Sequence, residues 1–142
     1  MEQNVKRRIK ISVRNLVEFV MKSGDIDNRR TAGADLDAMQ AGSRIHRKIQ
    51  RRMGSDYRAE VPLKIIVEKE KYEIVVEGRA DGIIQRSEKI IIDEIKGIYM
   101  DLTWLHEPIK VHLAQALCYA YMYGQKYLCE HKTEDYEKRI GV

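Results

Sequence analysis

Apolar positions recur along this chain with two periods, and the switches between them mark its elements. From Ser12 to Lys22, Leu16, Val17, Phe19 and Val20 fall in the pattern of a short amphipathic helix, with Ser12 placed to cap it and Gly24 to stop it. These four are expected in the core rather than at a ligand. Asp25 to Asp35 is polar, contains Gly33 and predicts a loop. A second helix is predicted from about Leu36 to Met53, because Met39, Gly42, Ile45, His46, Ile49 and Met53 share one stripe at helical spacing. Gly54-Ser55-Asp56 breaks it.

The period then falls to two. Strand-like runs cover Arg58 to Val67, Tyr72 to Ile84 and Lys89 to Lys96, with Glu68-Lys69-Glu70-Lys71 and Gln85-Arg86-Ser87-Glu88 as turns, which predicts an antiparallel three-strand meander. Proline cannot donate to a ladder, so Pro62 suits an edge strand. The third run is apolar on both faces up to Glu94 and belongs inside the sheet. After a polar connection with Trp104 and Pro108, Val111 to Tyr127 predicts a long helix whose apolar stripe includes Leu113, Leu117 and Tyr121. Glu130 to Glu137 is polar, and Lys138 to Val142 opens like another strand.

Composition narrows the class. The 142 residues predict a single domain, 1–142, with its own core, and 44% hydrophobic against 34% charged residues is a globular balance. No apolar run reaches membrane-span length, and the basic start Met1 to Arg8 lacks the apolar core of a signal peptide. A cytoplasmic protein without a membrane partner is therefore expected. The net charge of +4 is compatible with nucleic acid, although mild basicity is usually surface charge. Arg44, Arg47, Lys48, Arg51 and Arg52 surround the second helix, either as a solvated basic face or as a phosphate-contacting one. Cys118 and Cys129, eleven apart, fit neither a structural zinc site nor a four-cysteine iron–sulfur site and are expected as free thiols.

Within the buried third run, an acid and a base stand out. Side chains two apart on a strand share a face, so Glu94 and Lys96 project together. Neighbouring antiparallel strands bring Asp81 near Glu94. Two carboxylates can hold a hard cation such as Mg²⁺, and a lysine beside them can orient water or stabilise charge on a phosphoryl oxygen. Such a set suits metal-assisted cleavage of a phosphodiester. Each residue also has a plain alternative. Glu-x-Lys in a chain this charged most often means a surface ion pair, and Asp81 before Gly82 can be a turn residue. Clustered together, the charges need a cation or water to be tolerated. On spacing alone His46 reads as a satisfied, partly buried histidine, with metal ligation as the other reading. Gln115 and Tyr119 are four apart and share a helix face, where they are either ordinary surface or partners for a phosphate or for Lys96. Neither His106 nor His112 has ligand spacing.

Four segments in order carry a family resemblance: Gly42-Ser43-Arg44-Ile45-His46, Gly78-Arg79-Ala80-Asp81, Asp93-Glu94-Ile95-Lys96-Gly97 and Gln115-Ala116-Leu117-Cys118-Tyr119. Together they resemble the PD-(D/E)XK nuclease superfamily, closest to its RecB-like exonuclease branch, from about Ala41 to Tyr123. Ile11 to Phe19 with Ser23-Gly24-Asp25 is also similar to the nuclease region at the front of DinG-type DNA helicases of some bacteria. The resemblance implies an α/β (α+β) fold with a restriction-endonuclease-like core, a mixed sheet flanked by helices. It implies that His46, Asp81, Glu94 and the Ile95 carbonyl bind Mg²⁺ or Mn²⁺, and that Lys96 positions or activates the attacking water. Gln115 and Tyr119 would form the branch's glutamine–tyrosine motif. Arg44, Arg47, Lys48 and Arg51 would hold DNA, and the implied activity is that of a metal-dependent deoxyribonuclease in DNA repair or processing beside a helicase.

Two departures stand against the family pattern. The four cysteines that hold an iron–sulfur cluster in some relatives are missing, and the strand that normally follows the glutamine–tyrosine helix has only Lys138 to Val142 to begin it. A domain cut from a longer protein is the expectation. Two rivals remain at this point: a nuclease fold kept as an inactive DNA-binding module of a helicase, and a plain interaction domain whose charges are structural.

Overall fold

The computed structural model describes residues 5–22, 32–97, 101–131 and 140–141. In chain order they form β1 (Arg7–Ser12), α1 (Val13–Val20), α2 (Ala32–Gln50), β2 (Tyr57–Glu68), β3 (Tyr72–Arg86), β4 (Lys89–Asp93), a 3₁₀ turn (Leu102–Trp104), α3 (Lys110–His131) and β5 (Ile140–Gly141). The result is a mixed five-stranded sheet with helices against it, the α+β class the pattern predicts.

The long strand β3 organises the sheet. β2 runs antiparallel along one edge for nearly its whole length, from Tyr57↔Ile84 to Glu68↔Glu73. The other edge is shared. β1 takes its first half in parallel, ending at Ser12↔Glu77, and β4 takes its second half antiparallel, beginning at Gly82↔Asp93. Between them, residues 78–81 have no strand on that side, because the chain leaves β1 at Ser12 to start α1. The Ser12 hydroxyl accepts from the Asn15 backbone N–H at 3.1 Å, which satisfies one of the donors a helix start leaves open.

The meander β2–β3–β4 follows the period-two pattern, but its turns are shorter than expected: Glu68 belongs to β2 and Gln85 and Arg86 to β3, which pairs them with Ile90 and Lys89. Pro62 lies on β2, which among the described residues pairs only with β3 and forms an edge, while β4 sits inside the sheet between β3 and β5. Two corrections concern strands. Arg7 to Ser12 forms β1, which the basic character of the start concealed: its side chains are mostly exposed, so parallel pairing to β3 rather than burial defines it. And β4 ends at Asp93, so Glu94 and Lys96 lie beyond the ladder rather than on a strand face.

The core packs α1 and α3 onto the sheet. Val13 and Val17 of α1, Val61 and Leu63 of β2, Val76, Ala80 and Ile83 of β3, Ile90 and Ile92 of β4, and Tyr119, Ala120 and Met122 of α3 form one buried cluster. Each large aliphatic side chain in it contributes roughly 1.5–3 kcal/mol over exposure. Of the four residues expected to be core in α1, Val17 is buried and Leu16 packs at its margin, but Phe19 is 76% exposed and Val20 is exposed too. The helix turns its Val13/Val17 side inward instead. In α3 the apolar stripe is also displaced: Leu113, Leu117 and Tyr121 are exposed, and Gln115, Ala116, Tyr119, Ala120 and Met122 face inward. Small side chains at 116 and 120 let the helix approach the sheet closely.

The second helix starts at Ala32, four residues before the predicted start, and stops at Gln50, where turns replace the predicted last residues to Met53. Its apolar positions Met39, Ile45 and Ile49 are exposed. The rest of the predicted loop, Asp25 to Thr31, lies outside the described residues, as does Gly24. Most of the polar tail is also outside them; of Lys138 to Val142, Ile140 and Gly141 are described and pair in parallel with β4.

Candidate metal and nucleic-acid site

The unpaired stretch of β3 ends at Asp81, which is 9% exposed. Its side chain and its backbone are each held from a different direction. Oδ2 accepts from the Ile95 backbone N–H at 2.7 Å, and Oδ1 lies 3.2 Å from His46 Nδ1. The Asp81 carbonyl accepts from the Gln50 side-chain amide at 2.9 Å and from the Tyr57 hydroxyl at 3.3 Å. His46 and Gln50 are one turn apart on α2, so they face the same way. This helix meets Asp81 through polar groups and adds nothing to the apolar cluster among the described residues.

A break in the β2–β3 ladder lies at the same place. The register pairs Ala59 with Gly82 and Val61 with Ala80, but the Glu60–Asp81 pair between them is skipped, and Glu60 has a φ of 55°. That left-handed region is uncommon for a non-glycine residue and tends to occur at functional sites. Alternation slips there as well: Val76 and Ala80 share the core with Ile83, which strict period two would put on the opposite face. Gly82 makes room for the change, since a Cβ there would collide with the Tyr57 ring. Tyr57 in turn donates to Asp93 Oδ2 at 3.0 Å. Burial, and then Asp93, raise the Tyr57 pKa, so it remains a donor at neutral pH.

Beyond β4, the Ile95–Asp81 bond brings in the acid and the base. Lys96 Nζ is 2.7 Å from Glu94 Oε1, and the Glu94 side chain is 8% exposed against 32% for Lys96. Glu94 Oε2 is buried without a hydrogen-bond partner. Burial raises the pKa of Glu94, with Lys96 opposing and Asp81 adding to the rise. Burial likewise raises Asp81, opposed by the Ile95 N–H, His46 and Lys96, with Glu60 adding to the rise. Two carboxyls whose ionised forms are disfavoured, one with an orphaned oxygen, suit a bound cation. Ligand atoms of His46, Glu60 and Asp81 lie within 4.8 Å of one another. Glu94 stands beside that trio rather than within it.

From α3, Tyr119 also reaches this region. Gln115 is buried, and Tyr119 packs against Gly78, where a Cβ would lie 2.6 Å from the tyrosine hydroxyl. Burial and then Glu94 push the Tyr119 pKa up to about 12. His112, to which spacing gives no role, feels Lys96: burial first, then that lysine, lowers its pKa. Arg44, Arg47 and Lys48 are exposed on α2 and Arg51 in the turn after it, and with Arg52 they line a groove of about 350 Å³. Among the described residues none of the five has a carboxylate partner. Arg44 and Arg47 donate instead to the Gln40 and Ser43 carbonyls at 3.4 and 3.3 Å. Cys118 is a free thiol, and burial raises its pKa.

Of the sequence-predicted site residues, His46, Asp81, Glu94, Ile95, Lys96 and Tyr119 are thus gathered near the free edge of β3, and Gln115 is buried one turn before Tyr119 on α3. Glu60, Gln50 and Tyr57 are the additions. The turn read from the sequence, Glu68–Lys71, would set residue 60 opposite residue 79; the observed register, with Glu68 opposite Glu73, sets it opposite residue 81. Nothing in the sequence announces the left-handed backbone there.

No family model and no curated protein matches the chain. Among solved structures, the chain is similar to the crystal structure of SSO0001, with a TM-score of 0.59 and 22% identity. The match covers 84% of this chain and spans 58% of the length of SSO0001. At that identity the similarity speaks to the fold. Among the described residues, no helix is long and apolar enough to cross a membrane.

Proposed function

We propose that this domain is a divalent-metal-dependent deoxyribonuclease whose reacting centre lies at Asp81, Glu94 and Lys96. The observation that carries the reading is the state of Glu94: buried, with one oxygen on Lys96 and the other without a partner, next to a second buried carboxylate. A structural ion pair needs no second acid and leaves no orphaned oxygen. A cation satisfies both.

Asp81 and Glu94 would hold Mg²⁺ or Mn²⁺, with His46 and the Ile95 carbonyl as further candidates. A bound cation supplies Lewis-acid polarisation of the phosphate and lowers the pKa of a bound water. Lys96, one third exposed and anchored on Glu94, is placed to orient that water or to neutralise charge developing on a phosphate oxygen. Tyr119 buttresses the site from α3, with Gln115 buried one turn before it. Tyr119 keeps its proton across the physiological range and acts as a hydrogen-bond donor. The basic side chains of α2 and the turn after it, without a carboxylate partner among the described residues, fit backbone binding without sequence readout.

Exonucleolytic cleavage, a helicase partner and a role in DNA repair rest on the sequence resemblance. The test is cleavage of labelled linear and circular DNA, single- and double-stranded, with Mg²⁺, Mn²⁺ or EDTA, beside Lys96→Ala. Metal-dependent loss of linear DNA by the wild type alone supports an exonuclease. Cation binding without cleavage favours an inactive nuclease-fold module, and neither activity favours a plain interaction domain.

A further inference from the structure

The sequence resemblance accounts for Asp81, Glu94 and His46 but gives Glu60 no role. The Glu60 carboxylate is held at both ends: Oε1 accepts from the Gln50 amide at 3.0 Å, and Oε2 lies 3.5 Å from an Arg79 guanidinium nitrogen. Its backbone adopts a left-handed φ opposite Asp81, and its carboxylate comes within 4.8 Å of ligand atoms of both His46 and Asp81. An ordinary alternating strand would leave Glu60 in the ladder. Here the Gln50 amide binds the Asp81 carbonyl and the Glu60 carboxylate together, so one side chain of α2 fixes the spacing between two acids. The orphaned buried oxygen of Glu94, beside the trio and within the electrostatic reach of both Asp81 and His46, independently points to a cation position in this region.

We infer that Glu60 is a metal ligand: with His46 Nδ1 and Asp81 it forms a divalent-cation position on the α2 side of Asp81, and Gln50 is the positioning residue that sets it. One imidazole and two carboxylates favour a first-row transition ion over Mg²⁺, because imidazole suits the softer cation. Mn²⁺ is the probe that follows. The inference rests on the proposed role of Asp81 as a metal ligand and adds a ligand and a metal preference to it.

The experiment is a Mn²⁺ titration of the full chain by electron paramagnetic resonance, with Mg²⁺ as competitor and melting in EDTA as the folding control. Wild type, Asp81→Asn, Glu60→Gln, Glu60→Gly and Gln50→Ala are compared. The glycine variant accepts the left-handed φ without strain and so guards against a folding defect in the glutamine variant. Both Glu60 variants should weaken Mn²⁺ binding at least tenfold, and Gln50→Ala should weaken it about tenfold. Wild-type Mn²⁺ affinity in Glu60→Gly, with binding lost in Asp81→Asn, overturns the role of Glu60 and leaves the nuclease reading intact. Wild-type affinity in Asp81→Asn overturns the nuclease reading itself.

Discussion

The Ile95 backbone N–H donates to Asp81 Oδ2 at 2.7 Å, and that bond joins two stretches the β ladder no longer connects. β4 stops pairing at Asp93. Without a cross-link the chain after it would be free to leave the sheet with Glu94 and Lys96. Charge-assisted bonds of this kind are among the stronger hydrogen bonds in proteins. The acid that would bind a cation therefore also sets where its neighbours stand.

That double duty makes a pH prediction. Burial raises the pKa of Asp81 and Glu94 above the ordinary unfolded values of about 3.9 and 4.3. Between the unfolded and folded values the native state binds more protons, so this contribution to stability is full below the unfolded pKa and is lost as pH rises through the folded one. In EDTA, Glu94→Gln should melt at or above the wild-type temperature near neutral pH. The advantage should shrink as the pH falls toward 4. Melting curves of the two proteins across that range measure the difference directly, and Mn²⁺ should raise the wild-type melting temperature more at pH 7 than at pH 5.

Lys96 is the partner of a buried carboxylate, so its removal has two separable effects. Lys96→Ala should cut cleavage about 10²–10³-fold, as loss of a donor to developing charge does. It should also lower stability by about 1–3 kcal/mol in EDTA, because Glu94 loses its hydrogen-bonded cation. Added Mn²⁺ should restore much of that stability without restoring cleavage. Thermal shift and single-turnover kinetics on the same preparations separate the two.

Gly78 gives Tyr119 its place. Gly78→Ala inserts a Cβ 2.6 Å from the tyrosine hydroxyl and 3.1 Å from Val13 Cγ2, and such overpacking costs about 1–3 kcal/mol. Tyr119→Phe removes the closest atom. The double variant should recover part of the loss, giving a non-additive cycle readable by urea denaturation.

The basic groove of α2 should act on DNA and not on metal. Replacing Arg47 and Arg51 by alanine should weaken binding alike for all sequences and reduce the slope of log affinity against log salt by about 2. Mn²⁺ affinity should stay unchanged. Fluorescence anisotropy at several salt concentrations gives the slope.

The sequence revealed the frame of this fold where period and burial agree. The meander, the edge position of Pro62 and the interior place of β4 are all legible from local pattern, although the strands run further into the turns than the pattern suggests. Failures came where neighbours in space decide. Phe19, Leu113 and Leu117 look like core residues, yet helix orientation against the sheet leaves them outside. β1 is too charged to read as a strand without β3 beside it. At the site, Asp81, Glu94 and Lys96 were legible as a conflict between apolar surroundings and charge. Glu60 was not, because its position depends on register and on one left-handed residue.

The most direct measurement compares Mn²⁺ binding with Mn²⁺ activation of cleavage, using one labelled single-stranded DNA and both wild-type protein and Asp81→Asn. The account predicts that cleavage rises with the same midpoint as binding in the wild type and that Asp81→Asn shows neither at wild-type Mn²⁺ concentrations. Cleavage by Asp81→Asn at the wild-type rate, or wild-type cleavage that persists in EDTA, would contradict it.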